Sequence, residues 1–142
     1  MLNIPGNLDN SFNFKLFFEL SPDLLCIAGF DGYFKKVNAA VIKLLGYSYE
    51  ELLATPIQDF IYSADQAITA DNRFNLIHGK PLLNFENRYI TRQGEIVWLS
   101  WTSIPVEEEK VVYAIAKNVT AKKKLEEDRL RAIENLTGQI KI

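Results

Sequence analysis

The spacing of apolar positions changes several times along the chain, and each change predicts an element. Phe14, Phe17 and Phe18 recur at i, i+3 and i+4, one face of a helix, with Ser11 placed to cap it and Ser21-Pro22 to end it. Residues 1–10, with Pro5, Gly6, Asn7 and Asp9, read as a loose leader. Two short apolar runs, 24–30 and 33–37, flank Asp31-Gly32 and predict a hairpin. Helical spacing then returns: Asn38 offers an N-cap, Val41, Leu44 and Leu45 share a face, and Gly46 stops the helix. Ser48 and Glu51 form a capping box with Tyr47 and Leu52 at the staple positions, and Pro56 closes that helix. Residues 57–62 are a short connection.

Ser63 and Gln66 repeat the capping pattern ahead of the longest internal helix. Ala67, Ala70, Phe74 and Ile77 make its apolar stripe, and Gly79 and Pro81 end it. Segments 82–91, 96–105 and 111–119 are rich in strand formers. Gln93-Gly94 and the stretch from Glu107 through Glu108 and Glu109 to Lys110 link them into an antiparallel meander. From Lys122 the chain is charged and helical, with Leu125, Leu130, Ile133, Leu136 and Ile140 in helical rhythm. The order implies an α+β domain in which two early and three late strands share one sheet, with the middle helices on one face. Three segments follow: a leader with an amphipathic helix (1–20), the domain (21–121) and a departing helix (122–142).

Composition narrows the classes. In 142 residues, 48% are hydrophobic and 24% charged, enough apolar material for one core. A net charge of −2 gives no electrostatic case for nucleic acid or a membrane surface. One cysteine excludes an internal disulfide and fits a reducing, cytoplasmic setting. No apolar run is long enough to span a bilayer, and residues 1–10 lack signal-peptide character, so no direct membrane contact is expected of this segment. A membrane anchor elsewhere in a longer parent stays open.

Four local patterns occur in one order: SPDLLCIAGFDGYFKKVNAA (21–40), LLGYSYEEL (44–52), ENRYITRQGEIVWLSW (86–101) and AKNVTAKKKLEE (116–127). Together they resemble the Per-Arnt-Sim (PAS) family, of the sensory-box type found in bacterial sensor histidine kinases. The resemblance runs from about Phe18 to Lys124. It implies a five-stranded antiparallel sheet with short helices on one face, flanked by an N-terminal amphipathic helix and a C-terminal linker helix. Two positions depart from the family pattern. Gln93-Gly94 stands where Asp-Gly is usual, and Asn118-Val119-Thr120 stands where Asp-Ile/Val-Thr is usual. Asn keeps the hydrogen-bonding shape of Asp but not its charge.

No catalytic constellation is present: no Gly-rich phosphate loop, no Gly-x-Ser-x-Gly and no His-Glu-x-x-His. One His and one Cys cannot build a His/Cys metal cluster. The acidic groups at Glu50-Glu51, Glu107 to Glu109 and Glu126 to Asp128 read as solvated surface. His78 lies where some family members carry a haem ligand, but a helix-end His is the simpler reading, and haem is disfavoured. Cys26 sits in an apolar run and reads as core. The Asn-Cys-Arg motif of flavin-binding light sensors is absent.

The resemblance places any small-molecule ligand between the helices and the sheet. Candidate lining residues are Phe74, Ile77, Phe85, Tyr89, Trp98, Ser100 and Thr102, although alternation alone does not fix which strand face points inward. A fully packed core without a cavity is the competing expectation. Phe14, Phe17 and Phe18 either cover the sheet's outer face or meet a second chain in a homodimer. The implied role is signal sensing and dimerisation in a multidomain protein, a two-component histidine kinase, with Asn118, Val119 and Thr120 relaying a change into the C-terminal helix and an output domain beyond it. A ligand-free interaction module is the alternative, and a haem-based redox or gas sensor a third.

Overall fold

The protein's computed structural model describes residues 12–140. The expected leader and the Ser11 cap lie outside the described residues. Within them run α1 (Phe14–Leu20), β1 (Leu24–Gly29), β2 (Phe34–Val37), α2 (Ala39–Leu45), α3 (Tyr49–Ala54), 3-10 turns at Ile57–Phe60 and Ser63–Asp65, and α4 (Gln66–Ile77). β3 (Leu82–Ile90), β4 (Ile96–Val106), β5 (Val111–Asn118) and α5 (Thr120–Ile140) follow. Asn13 caps α1, its side-chain oxygen accepting from the Leu16 N–H at 3.0 Å.

One five-stranded sheet has the order β2-β1-β5-β4-β3, every neighbour antiparallel. This is the α+β arrangement expected from the element order. The inner face is set by strict alternation on β4, where Val97, Leu99, Trp101 and Ser103 are buried, and on β5, where Val112, Ala114 and Ala116 are. Val41 and Leu45 of α2, Leu52 of α3, Phe60 and Ile61 close over it. The predicted caps at Asn38, Gly46 and Ser48 hold. Gly46 ends α2 at φ +80°, a left-handed position that favours glycine. Ser48 and Glu51 form the reciprocal capping box, and Glu51 also receives Arg92 at 2.6 Å.

Two local expectations are corrected. The Ser63/Gln66 capping box does not form: Ser63 opens a 3-10 turn, and the Gln66 amide instead donates to the Ile61 carbonyl at 3.1 Å. The stripe expected on α4 faces solvent. Ala67, Ala70 and Phe74 are exposed and Ile77 is half-buried, whereas Thr69, Asn72, Arg73 and Leu76 turn inward. The polar inward face is why apolar spacing misassigned the helix. β3 also carries an irregularity between Leu82 and Phe85, with Asn84 at φ +52°. The extra residue lets Leu82 and Phe85, three apart, both reach the inner side.

Asn38 ties these parts together. It is fully buried, and its Oδ1 accepts from the N–H of Leu25 at 3.1 Å and of Val41 at 3.4 Å. Its Nδ2 donates to the carbonyls of Phe18 at 3.1 Å and Asp23 at 3.0 Å. Its backbone N–H donates to Leu25 O at 3.0 Å. Replacing Asn38 with Ala strands several backbone groups at once, so Asn38→Ala is expected to lose about 2–4 kcal/mol. Urea unfolding measures this, with faster hydrogen exchange at the Leu25 amide. A loss below about 1 kcal/mol would show that the amide is not the tie described.

Candidate functional site

Between α4, the Ile57–Phe60 turn and the inner sheet face lies a cavity of ≈ 90 Å³. Its wall is apolar over Cys26, Phe34, Leu76, Phe85 and Trp101, and polar at Thr69, Asn72, Asn87 and Ser103. Asn87 is buried with both ends satisfied: Nδ2 donates to Thr69 Oγ1 at 3.2 Å, and Oδ1 accepts from Trp101 Nε1 at 2.9 Å. Burial pushes the Cys26 thiol and the Tyr89 phenol well above their ordinary values, so both stay protonated. A protonated, enclosed thiol packs as a small hydrophobe and is a poor nucleophile.

A second constellation lies on the opposite face of the sheet, around Trp98. Arg88 stacks on its ring at 4.8 Å and Lys123 of α5 at 4.7 Å, while Arg88 also stacks on Tyr62 at 4.7 Å. Asp65, at the start of α4, takes the Arg88 guanidinium in a fork at 2.6 and 2.9 Å and its backbone N–H at 2.7 Å. Those hydrogen bonds hold the Asp65 carboxyl below its ordinary value and raise Arg88. Lys123 pairs with Glu86 at 2.5 Å, a contact that raises the lysine.

The same residue receives the strand-to-helix joint. Trp98 N–H donates to Thr120 Oγ1 at 2.9 Å, and Val119 N–H donates to Trp98 O at 2.9 Å. Asn118 Oδ1 accepts from both Thr120 N–H at 3.1 Å and Thr120 Oγ1 at 2.6 Å. α5 starts at Thr120, two residues before the expected Lys122, because this joint completes its first turn.

Of the expected lining residues, Phe85 and Tyr89 lie on the cavity wall. Phe74 is exposed, Ile77 is half-buried away from the wall, and Trp98, Ser100 and Thr102 alternate onto the outer sheet face. β4 presents Trp101 and Ser103 to the cavity instead. The signal available in the sequence was phase: Val97, Leu99 and Trp101 outweigh Ser100 and Thr102 in apolar content. His78 is exposed at the end of α4, its Nδ1 2.7 Å from Phe74 O and its ring 4.2 Å from that of Phe74. It is not on the cavity wall, and the cavity's ≈ 90 Å³ is far below the roughly 300 Å³ and more of drug-sized sites. No group of three or more metal-ligating side chains occurs among the described residues.

α1 lies beside α2. Glu19 Oε1 accepts from Ala39 N–H at 2.8 Å, and Phe18 is half-buried beneath Lys36. Phe14 and Phe17 remain open to solvent, 53% and 78% exposed, so they do not cover the sheet's outer face.

Several solved structures share the fold. A domain of a sensory box sensor histidine kinase/response regulator from Geobacter sulfurreducens aligns with TM-score 0.64 and 23% identity, over 73% of this chain and 90% of that one. A PAS domain from Desulfitobacterium hafniense aligns with TM-score 0.63 and 24% identity, over 72% and 98%. The PAS domain of an HTR-like protein from Haloarcula marismortui aligns with TM-score 0.59 and 26% identity, over 74% and 88%. No curated protein matches the chain. The family model described as PAS domain matches residues 22–121, the whole of the sheet and its covering helices, and the chain therefore belongs to the PAS domain family.

Proposed function

We propose that this chain is a signal-sensing module of a multidomain signal-transduction protein of the sensor histidine kinase type, like the Geobacter protein whose domain it resembles. The observation that carries the reading is the direct exit of α5 from β5 through a joint hydrogen-bonded to Trp98. A small molecule in the cavity acts on α4. The Asp65–Arg88 fork passes the change through the sheet to Trp98, and the joint of Asn118, Val119 and Thr120 passes it to α5. The catalytic and phosphoacceptor regions of such a protein are assigned outside this chain, and no reaction is assigned to it. In this reading the module pairs as a homodimer through the exposed Phe14 and Phe17. No helix among the described residues is long and apolar enough to cross a membrane.

The small cavity volume favours a second reading, a ligand-free interaction module. Native mass spectrometry separates the two. Mass beyond the polypeptide that leaves on denaturation supports the sensor. A bare dimer supports the interaction module. Phe17→Asp is expected to turn the dimer into monomer, and a dimer untouched by it removes α1 from the interface.

The relay is read by amide NMR. A small apolar probe entering the cavity is expected to move signals of α4 and also those of Val119 to Lys123. Thr120→Val should abolish the second set and spare the first. Shifts confined to α4 would refute the relay.

The Asp65–Arg88 fork also predicts a pH dependence. A carboxylate with a depressed folded pKa adds stability above its unfolded value, near 3.8, and loses it as the pH falls through the folded value. Asp65→Asn is expected to cost about 2–3 kcal/mol at pH 7, less than a fully sealed pair because Arg88 keeps 29% of its side chain exposed. That difference should shrink steadily below pH 3.8 in urea unfolding of the two proteins, and a constant difference down to pH 2 would contradict it.

A further inference from the structure

Among the described residues, Arg73 is the only charged one on the cavity wall. Its Nη2 donates to the carbonyls of Gly29 at 3.2 Å and Phe30 at 2.8 Å. Its Nε and Nη1 donate to nothing among the described residues, and no carboxylate there lies within ion-pair distance of it. Arg88 and Arg92 each hold a carboxylate at 2.6 Å. A half-used guanidinium fork beside an apolar chamber is suited to a planar anion, which it binds through paired N–H groups.

A second observation lies deeper in the wall. The hydroxyls of Ser103 and Tyr89 enter no hydrogen bond among the described residues, yet no buried side-chain polar atom there is sealed off without a partner. Both residues are almost fully buried and line the cavity, so their oxygens open into it. The ladder register places Ser103 beside Ala114 and Leu82, one inward-facing row from the strand ends where Arg73 grips Gly29 and Phe30.

We propose that the cavity takes a short-chain monocarboxylate. Its carboxylate lies on the free edge of Arg73 and accepts from the Ser103 hydroxyl, and its alkyl tail packs against Phe34, Leu76, Phe85 and Trp101. Size sets the chain length. Benzene, with six heavy atoms, occupies a cavity of about 150 Å³, so ≈ 90 Å³ encloses about four heavy atoms, the carbon chain of butyrate with its carboxylate oxygens at the Arg73 edge. This rests on the reading of the cavity as a ligand chamber.

The test compares butyrate, its neutral amide butanamide and 1-butanol on the 142-residue chain by NMR, following the methyls of Ala28 and Ala114 and the amide of Ser103. Butyrate is expected to bind saturably and at least about tenfold tighter than butanamide, the margin of a charge-assisted contact. Arg73→Met should erase that margin. Equal binding of butyrate and butanamide to the unaltered chain overturns the proposal, whatever Arg73→Met does to the turn it also pins. Entry of butanol without butyrate overturns the carboxylate and leaves the chamber standing. Entry by none of the three overturns both.

Discussion

A strand that must end against its neighbour and turn at once into a helix leaves backbone groups without partners, and Asn38 resolves that problem here. Its backbone N–H reaches Leu25 O, and its side-chain oxygen takes the place of the next carbonyl for Leu25 N–H. The same oxygen caps α2, and the amide nitrogen holds Phe18 and Asp23. Only Asn carries both a donor and an acceptor at this length: Asp lacks the donor and Gln is a methylene too long. Because β1 lies between β2 and β5, this amide fixes where α1 and α2 sit relative to the sheet. The cavity, formed farther along the same inner face, inherits that frame.

α4 connects the two constellations. Its first turn follows Asp65, which is locked to Arg88 on β3, and its inward face lines the cavity with Thr69, Asn72, Arg73 and Leu76. Arg73 then pins the turn after β1. Polar contacts thus hold α4 at its start and in its third turn. The apolar core concentrates under α2 and α3 instead.

The frame was legible in the sequence because local chemistry and period agreed. Asn38, Gly46 and the Ser48–Glu51 box mark helix ends through bonds made within one turn of each cap, although Asn38 and Glu51 also reach distant partners. The five strands announce themselves by β-formers between turn residues. The site was less legible for two physical reasons. The inward face of α4 is polar, so apolar spacing pointed to Phe74 and away from Arg73. On β3 the irregularity at Asn84 breaks the period of two, and on β4 both faces carry tryptophan, so Trp98 was expected in the cavity although it belongs to the strand-helix joint. Aromatic content marks a residue as packed against something without saying on which side.

The joint also accounts for the missing aspartate. Asn118 supplies a single oxygen that accepts from both the Thr120 N–H and its hydroxyl, and that bond uses the hydroxyl's one proton. Thr120 Oγ1 is thereby left as an acceptor for Trp98 N–H. A charged oxygen is not required for that chain of donors. The charge lies one turn later, where Lys123 pairs with Glu86 over the Trp98 ring. α5 is thus held at two levels by residues of β3 and β4, one through hydrogen bonds to the backbone of Trp98 and one through its ring. Both contacts converge on Trp98, one on its backbone and one on its ring.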